Sequence, residues 1–167
     1  FILDSFQGLP APDRGFDEAY EEGQFASDEE RVRALTVELG IDEICEVVPG
    51  WFADTLPTLA ADQTFCFAHI DCDLYQPARQ CLEHLHPRVV RGGQIVFDDY
   101  FDGSDGVLRA VNPVIAETGE VLFVGPESQV QLTRGLTVAD LDEAARAHTE
   151  ELVVDERGNP TARGMSV

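Results

Sequence analysis

Lysine is absent from this chain: all eleven basic residues are arginine. Within these 167 residues that excludes a P-loop lysine, a Schiff-base lysine and a lysine general base. Base chemistry must fall to His69, to a carboxylate or to a metal-bound group. Positive charge of any kind is scarce, with 32 acids against 11 bases and a formal charge of −21. Phosphate recognition needs a basic face, so nucleic acid is not an expected partner, and an anionic membrane surface fails on the same ground. No apolar run approaches the length of a membrane-spanning helix, and no signal peptide is read. The four cysteines, Cys45, Cys66, Cys72 and Cys81, form no C-x-x-C pair and fall mostly in apolar segments. They read as reduced core thiols of a cytoplasmic protein. Repeats and low-complexity tracts are also missing. The length bounds the answer to one domain, long enough to bury a good core.

What is present is more pointed. Phe67-Ala68-His69-Ile70-Asp71-Cys72-Asp73-Leu74-Tyr75 and Gly92-Gly93-Gln94-Ile95-Val96-Phe97-Asp98-Asp99-Tyr100 are apolar, β-prone runs that each end in a carboxylate pair. Between them, Ala78, Cys81, Leu82, Leu85 and Val89 recur at helical spacing. Strand, helix and strand in succession force the two strands to be parallel. Open α/β sheets bind ligands beyond the carboxyl ends of their strands, so Asp71, Asp73, Asp98 and Asp99 converge on one rim. Carboxylates gathered there repel unless a cation neutralises them, and an all-oxygen donor set suits a hard divalent ion such as Mg2+. Any one of these acids could be a helix cap or a solvated loop residue. Two pairs on neighbouring strand ends favour the metal site.

Along the rest of the chain, a strand is expected over 1–4, then a loop over 7–24. Ser27 and Glu30 form a capping box for a helix ending near Leu39, with Val32, Leu35 and Leu39 on its apolar face and Gly40 as its stop. A strand over 44–48 leads to Pro49-Gly50, and Asp54 or Thr55 caps a short helix. A helix over 107–117 precedes strands over 121–124 and 129–133, joined by a tight turn and hence antiparallel. A last amphipathic helix covers 138–149. The residues from Asp155 onward are polar and glycine-rich, and a loosely ordered tail is expected. The alternation gives a three-layer α/β domain over 1–135, with a helix and tail over 136–167.

Asp4-Ser5-Phe6-Gln7-Gly8-Leu9-Pro10, Gly50-Trp51-Phe52-Ala53-Asp54-Thr55-Leu56-Pro57, the 69–75 string, Gly92-Gly93 and Asp98-Asp99-Tyr100 together resemble the macrocin O-methyltransferase family. The resemblance implies a Rossmann-like class I methyltransferase fold, mostly parallel with a C-terminal antiparallel hairpin. It further implies methylation of a sugar hydroxyl in natural-product biosynthesis, with S-adenosylmethionine and Mg2+. Carried over position by position, Asp4 with Ser5 would bind the cofactor ribose, a carboxylate being a double acceptor. Gly50, Trp51 and Phe52 would lie against adenine. Asp71, Asp98 and Asp99 would hold the metal. Asp71, His69 and Asp73 are the candidates for the base; His69 shares a strand face with Asp71 but could equally be a buried, hydrogen-bonded histidine.

The family's glycine-rich loop after the first strand has no counterpart here, so an N-terminal part is expected to be missing. The partner expected is a small molecule, a sugar-bearing natural product or a nucleotide sugar, and the protein is expected to be a cytoplasmic homo-oligomer. Two rival enzymes share Asp71-x-Asp73. A dehalogenase-type phosphatase would need a lysine and a Thr or Val where Tyr75 stands, and a glycosyltransferase would leave Asp98-Asp99 unexplained. An inactive α/β binding module is the third alternative.

Overall fold

The computed structural model describes residues 1–101, 103–154 and 160–162, with side chains described only up to residue 145. The order is β1 (Ile2–Asp4), α1 (Glu29–Glu38), β2 (Val47–Pro49), α2 (Phe52–Thr55), β3 (Phe65–Ile70), α3 (Tyr75–Leu85), β4 (Val89–Phe97), α4 (Gly106–Thr118), β5 (Glu120–Val124), β6 (Val130–Thr137), α5 (Val138–Glu151), β7 (Leu152–Val154) and β8 (Pro160–Ala162). Short 3-10 turns, Leu56–Thr58 and His86–Arg88, extend α2 and α3.

The chain is α/β, as expected. β3 and β4 are parallel neighbours, β4 pairs antiparallel with β6, and β6 pairs antiparallel with β5. β1 and β2 form a separate parallel pair. The register sets Ala68 and Ile70 beside Ile95 and Phe97, and these beside Leu132 and Val130. That face is the core. Ile95, Phe97, Val130 and Leu132 are buried with Ala78, Cys81 and Leu82 of α3 and Val107, Ala110 and Val111 of α4. The opposite face carries exposed Phe67 and Phe123, and the sheet is covered from one side among the described residues.

Several local expectations change. Asp28, not Ser27, caps α1: its carboxylate accepts from the N–H groups of Glu30 and Arg31. An aspartate fits there because its charge also opposes the positive helix end. The apolar stripe on α1 is not core: Leu35 and Leu39 are 42% and 61% exposed. Thr36 is buried instead, its hydroxyl donating to the carbonyl of Arg33. Neither Asp54 nor Thr55 caps α2. Trp51 is its N-cap without a side-chain bond, and Thr55 lies inside and donates back to the Trp51 carbonyl. β2 starts three residues late, since 42–44 form a turn. Of the four thiols only Cys72 and Cys81 are buried, and Cys66 is exposed. The tail lies mostly outside the described residues; Pro160–Ala162 pair antiparallel with Leu152–Val154.

One polar knot ties the far end of the sheet. Glu120 is buried at the start of β5, and its carboxylate accepts from His86 Nε2 at 2.7 Å and from Arg134 and the Gly135 N–H at 2.5 Å. Burial alone would raise its pKa. The bonds from His86, Gly135 and Arg134 outweigh it and hold the carboxyl below the ordinary range.

Candidate active site

The carboxyl ends of β1, β2, β3 and β4 open into a cavity of about 610 Å³, within the range of small-molecule sites. Asp4 and Ser5 line it after β1, Gly50, Trp51 and Phe52 after β2, Asp71 and Asp73 after β3, and Asp98 and Asp99 after β4. Residues up to 95 positions apart in the chain thus share one wall because parallel strands all end on the same rim.

Carboxylate oxygens of Asp71, Asp73 and Asp99 lie within 4.8 Å of one another. Asp73 and Asp99 reach this arrangement with left-handed backbones, φ 58° and 56°. Phe25 and Glu127, also on the wall, share that conformation. Backbone strain of this kind collects where function over-determines the local geometry. Asp98 is oriented differently from its neighbour. Its amide N–H donates to the Ile70 carbonyl, prolonging the β3–β4 ladder, while Gln129 Nε2 donates to its Oδ2 at 3.1 Å. The tight triple therefore contains Asp73 as well as Asp71 and Asp99, with Asp98 beside it. Burial and the negative charge of Asp98 raise the pKa of Asp71, partly offset by His69. A cluster of oxygen donors with one carboxyl already pushed toward protonation matches what a hard divalent cation would relieve.

His69 does not line the cavity; its Nε2 stands 3.7 Å from Asp98 Oδ2. Asp4 spends one oxygen on the Phe6 N–H at 2.6 Å. Ser5 is turned into its own loop, donating to the Gly8 carbonyl and accepting from the Gln7 N–H. Gly50 has φ 137°, and a Cβ there would press on Thr55 Cγ2 at 2.9 Å. A side chain is thus excluded where the wall turns into Trp51 and Phe52.

Sequence reading missed the Gly8–Ala11 wall, Phe25, and the β5–β6 turn at Glu127 and Ser128. It also missed Gln129. The only signal for Gln129 is register: Val130 pairs with Phe97, so the residue before one strand meets the residue after the other.

Fold and site together define an α/β protein with an acidic, cofactor-sized cavity at the carboxyl rim of its sheet. Residues 1–117 match the macrocin-O-methyltransferase (TylF) family, and the chain belongs to it. It is 37% identical over 108 residues to demethyldecarbamoylnovobiocin O-methyltransferase of Streptomyces niveus, covering 60% of this chain and 41% of that protein. It is 36% identical, with the same coverage, to 8-demethyl-8-(2,3-dimethoxy-alpha-L-rhamnosyl)-tetracenomycin-C 4'-O-methyltransferase of Streptomyces olivaceus. Among solved structures, the O-methyltransferase NovP superposes with a TM-score of 0.68 at 30% identity, covering 79% of this chain and 58% of NovP. The calicheamicin methyltransferase CalS11 has the same TM-score at 23% identity, a likeness of fold. The chain spans about two fifths of the length of these sequence relatives.

Proposed function

We propose that this chain is the catalytic core of an S-adenosylmethionine- and Mg2+-dependent O-methyltransferase acting on a sugar hydroxyl of a natural product. The observation that carries it is the sharing of one cavity by Asp4, Gly50–Phe52 and the Asp71, Asp73, Asp98 and Asp99 carboxylates. A phosphatase or a glycosyltransferase accounts for the carboxylates but not for the turn at Gly50. S-adenosylmethionine supplies an electrophilic methyl group, and Mg2+ supplies positive charge that stabilises the alkoxide developing on the acceptor.

The protein's own residues do the rest. The Asp4 oxygen not taken by Phe6 would be free to accept from the cofactor's ribose, and Gly50, Trp51 and Phe52 would line the place of its adenine. Asp71, Asp98 and Asp99 would hold the cation, with Asp73 at hand in the cluster. Asp71 or Asp73, both on the cavity wall, would take the proton from the acceptor hydroxyl. Gln129, which donates to Asp98 Oδ2, would orient that carboxylate, with His69 at 3.7 Å from the same oxygen. Holding the acceptor and the methyl donor together in one cavity would supply the entropic part of the rate enhancement.

We read β1 and β3 as the second and fourth strands of the class I methyltransferase sheet, with a strand from outside these 167 residues between them. β1 pairs only with β2, and β3 only with β4, among the described residues. That strand would carry the glycine-rich cofactor turn. A single unpaired edge in a sheet is tolerable, whereas two in its middle call for cover. Calorimetric titration with S-adenosylhomocysteine tests the cofactor reading. Methyl transfer to demethyldecarbamoylnovobiocin, the compound in the first relative's name, serves as a probe of the acceptor class. Absence of S-adenosylhomocysteine binding, in this chain and in one extended at its N-terminus, would refute the proposal.

A further inference from the structure

One buried carboxylate has no part in the mechanism above. Asp17 lies in the loop between β1 and α1 and is 1% exposed. Its Oδ1 accepts from the backbone N–H of Tyr75 at 3.0 Å, and its Oδ2 from the N–H of Asp13 at 3.1 Å. Tyr75 opens α3 and follows directly on Asp71–Leu74. A second tie runs to the segment leaving β4. Ser104 Oγ donates to the Phe16 carbonyl at 3.4 Å and accepts from the N–H of Gly106 at 3.3 Å. Gly106 opens α4, and a Cβ on it would collide with Asp17 Oδ1.

The loop also closes on itself and packs against the start of α3. The Leu9 N–H donates to the Gln24 carbonyl and the Gly23 N–H to the Leu9 carbonyl, at 2.8 and 2.9 Å, closing its two arms. Leu9 and Tyr20 bury against Leu74, and the Phe16 ring lies tilted against Tyr75, with centroids 4.6 Å apart. Its arms, Gly8–Ala11 and Phe25, form one wall of the cavity. An apolar side chain in the place of Asp17 would pack the loop down without the desolvation cost of a buried charge. The carboxylate adds direction instead. Two bonds at fixed angles set the loop's register against α3, and the negative charge complements the helix N-terminus.

We propose that Asp17 is a positioning residue for the acceptor. It fixes the 8–25 loop, through Tyr75 and the Gly106 junction, as the wall facing the carboxylate cluster. The loop's anchor points are the two segments that leave Asp71–Asp73 and Asp98–Asp99, the end of the cavity where the hydroxyl reacts, rather than the turn at Gly50. This rests on the methyltransferase reading for its consequence, though not for the contacts.

Two variants of the full chain test it: Asp17→Asn, whose amide offers a single acceptor oxygen to two N–H donors, and Gly106→Ala, which displaces Asp17 without altering it. Hydrogen exchange without any ligand should show amides of 8–25 exchanging about tenfold faster or more in both variants, with β4 and β6 unchanged. With demethyldecarbamoylnovobiocin as probe acceptor, its KM should rise about tenfold. Binding of S-adenosylhomocysteine, followed by the fluorescence of Trp51, the chain's one tryptophan, should change less than twofold. Wild-type exchange rates in the loop would overturn the proposal. So would activity that falls only with the folded fraction while the acceptor KM stays constant. Failure of the wild-type protein to bind S-adenosylhomocysteine, both as this chain and extended at its N-terminus, would instead refute the methyltransferase reading, with the exchange rates still deciding whether Asp17 holds the loop. If Asp17→Asn does not fold, Gly106→Ala carries the same measurements.

Discussion

Replacing Asp99 with asparagine should stabilise the metal-free protein and abolish its response to Mg2+. Oxygens of Asp71, Asp73 and Asp99 approach within 4.8 Å of each other, so the native cluster contains three repulsive pairs. At that separation each pair costs at least about 0.9 kcal/mol in the high-dielectric limit, the appropriate one for carboxylates open to solvent. Asp99→Asn removes two of the three, about 1.7 kcal/mol. For a domain of this size that corresponds to a rise in Tm of about 3–7 °C in EDTA. Wild-type protein behaves in the opposite sense. A cation that binds only the folded state adds about 2.7 kcal/mol at a hundred times its dissociation constant, or roughly 5–11 °C. Differential scanning calorimetry of both proteins, in EDTA and across a Mg2+ series at constant ionic strength, measures all four numbers. The crossing pattern is the diagnostic result: the variant more stable without metal, the wild type more stable with it. Identical Tm values for wild type with and without Mg2+ would show the cluster to be a solvated acidic rim, and the metal reading would fall.

Asp4→Ala should weaken S-adenosylhomocysteine binding by about 1.5–3 kcal/mol, the range for hydrogen bonds to a charged group, while leaving the Mg2+-induced rise in Tm intact. An unchanged affinity by calorimetry would reduce Asp4 to the cap of its own loop, the role its bond to Phe6 already shows. Glu120→Ala should cost about 3 kcal/mol, the lower end for breaking a buried pair, because Arg134 is partly exposed. The Glu120 pKa is lowered by folding, so its contribution is complete above its ordinary value of 4.5 and is lost as pH falls through the lower folded value. Urea titrations from pH 7 to pH 3 should therefore show a shallower acid limb in Glu120→Ala than in wild type; parallel limbs would contradict the linkage.

Much of the site could be read from the chain because its signals are local. A β-prone run ending in paired aspartates, a helical interval, and a second such run require parallel strands, and parallel strands must deliver Asp71, Asp73, Asp98 and Asp99 to one rim whatever surrounds them. The β5–β6 reversal was legible for the same reason, as the turn chemistry lies within four residues. Orientation was not local. That Asp73 rather than Asp98 completes the tightest carboxylate triple follows from a left-handed backbone at Asp73 and from Gln129 drawing Asp98 aside. The partner strand that brings Gln129 there is 31 positions away. That His69 stands behind Asp98 instead of facing the cavity depends on how the strand end is turned. The apolar stripe of α1 shows the limit from the other side: periodicity marks Val32, Leu35 and Leu39 as a face, but only packing decides whether anything covers it, and here Leu35 and Leu39 stay exposed. Asp17 is the clearest case. In the sequence it is one acid among 32 in a polar loop. Burial between the starts of two helices, distant in sequence and adjacent only once α3 and α4 have packed on the sheet, is what distinguishes it.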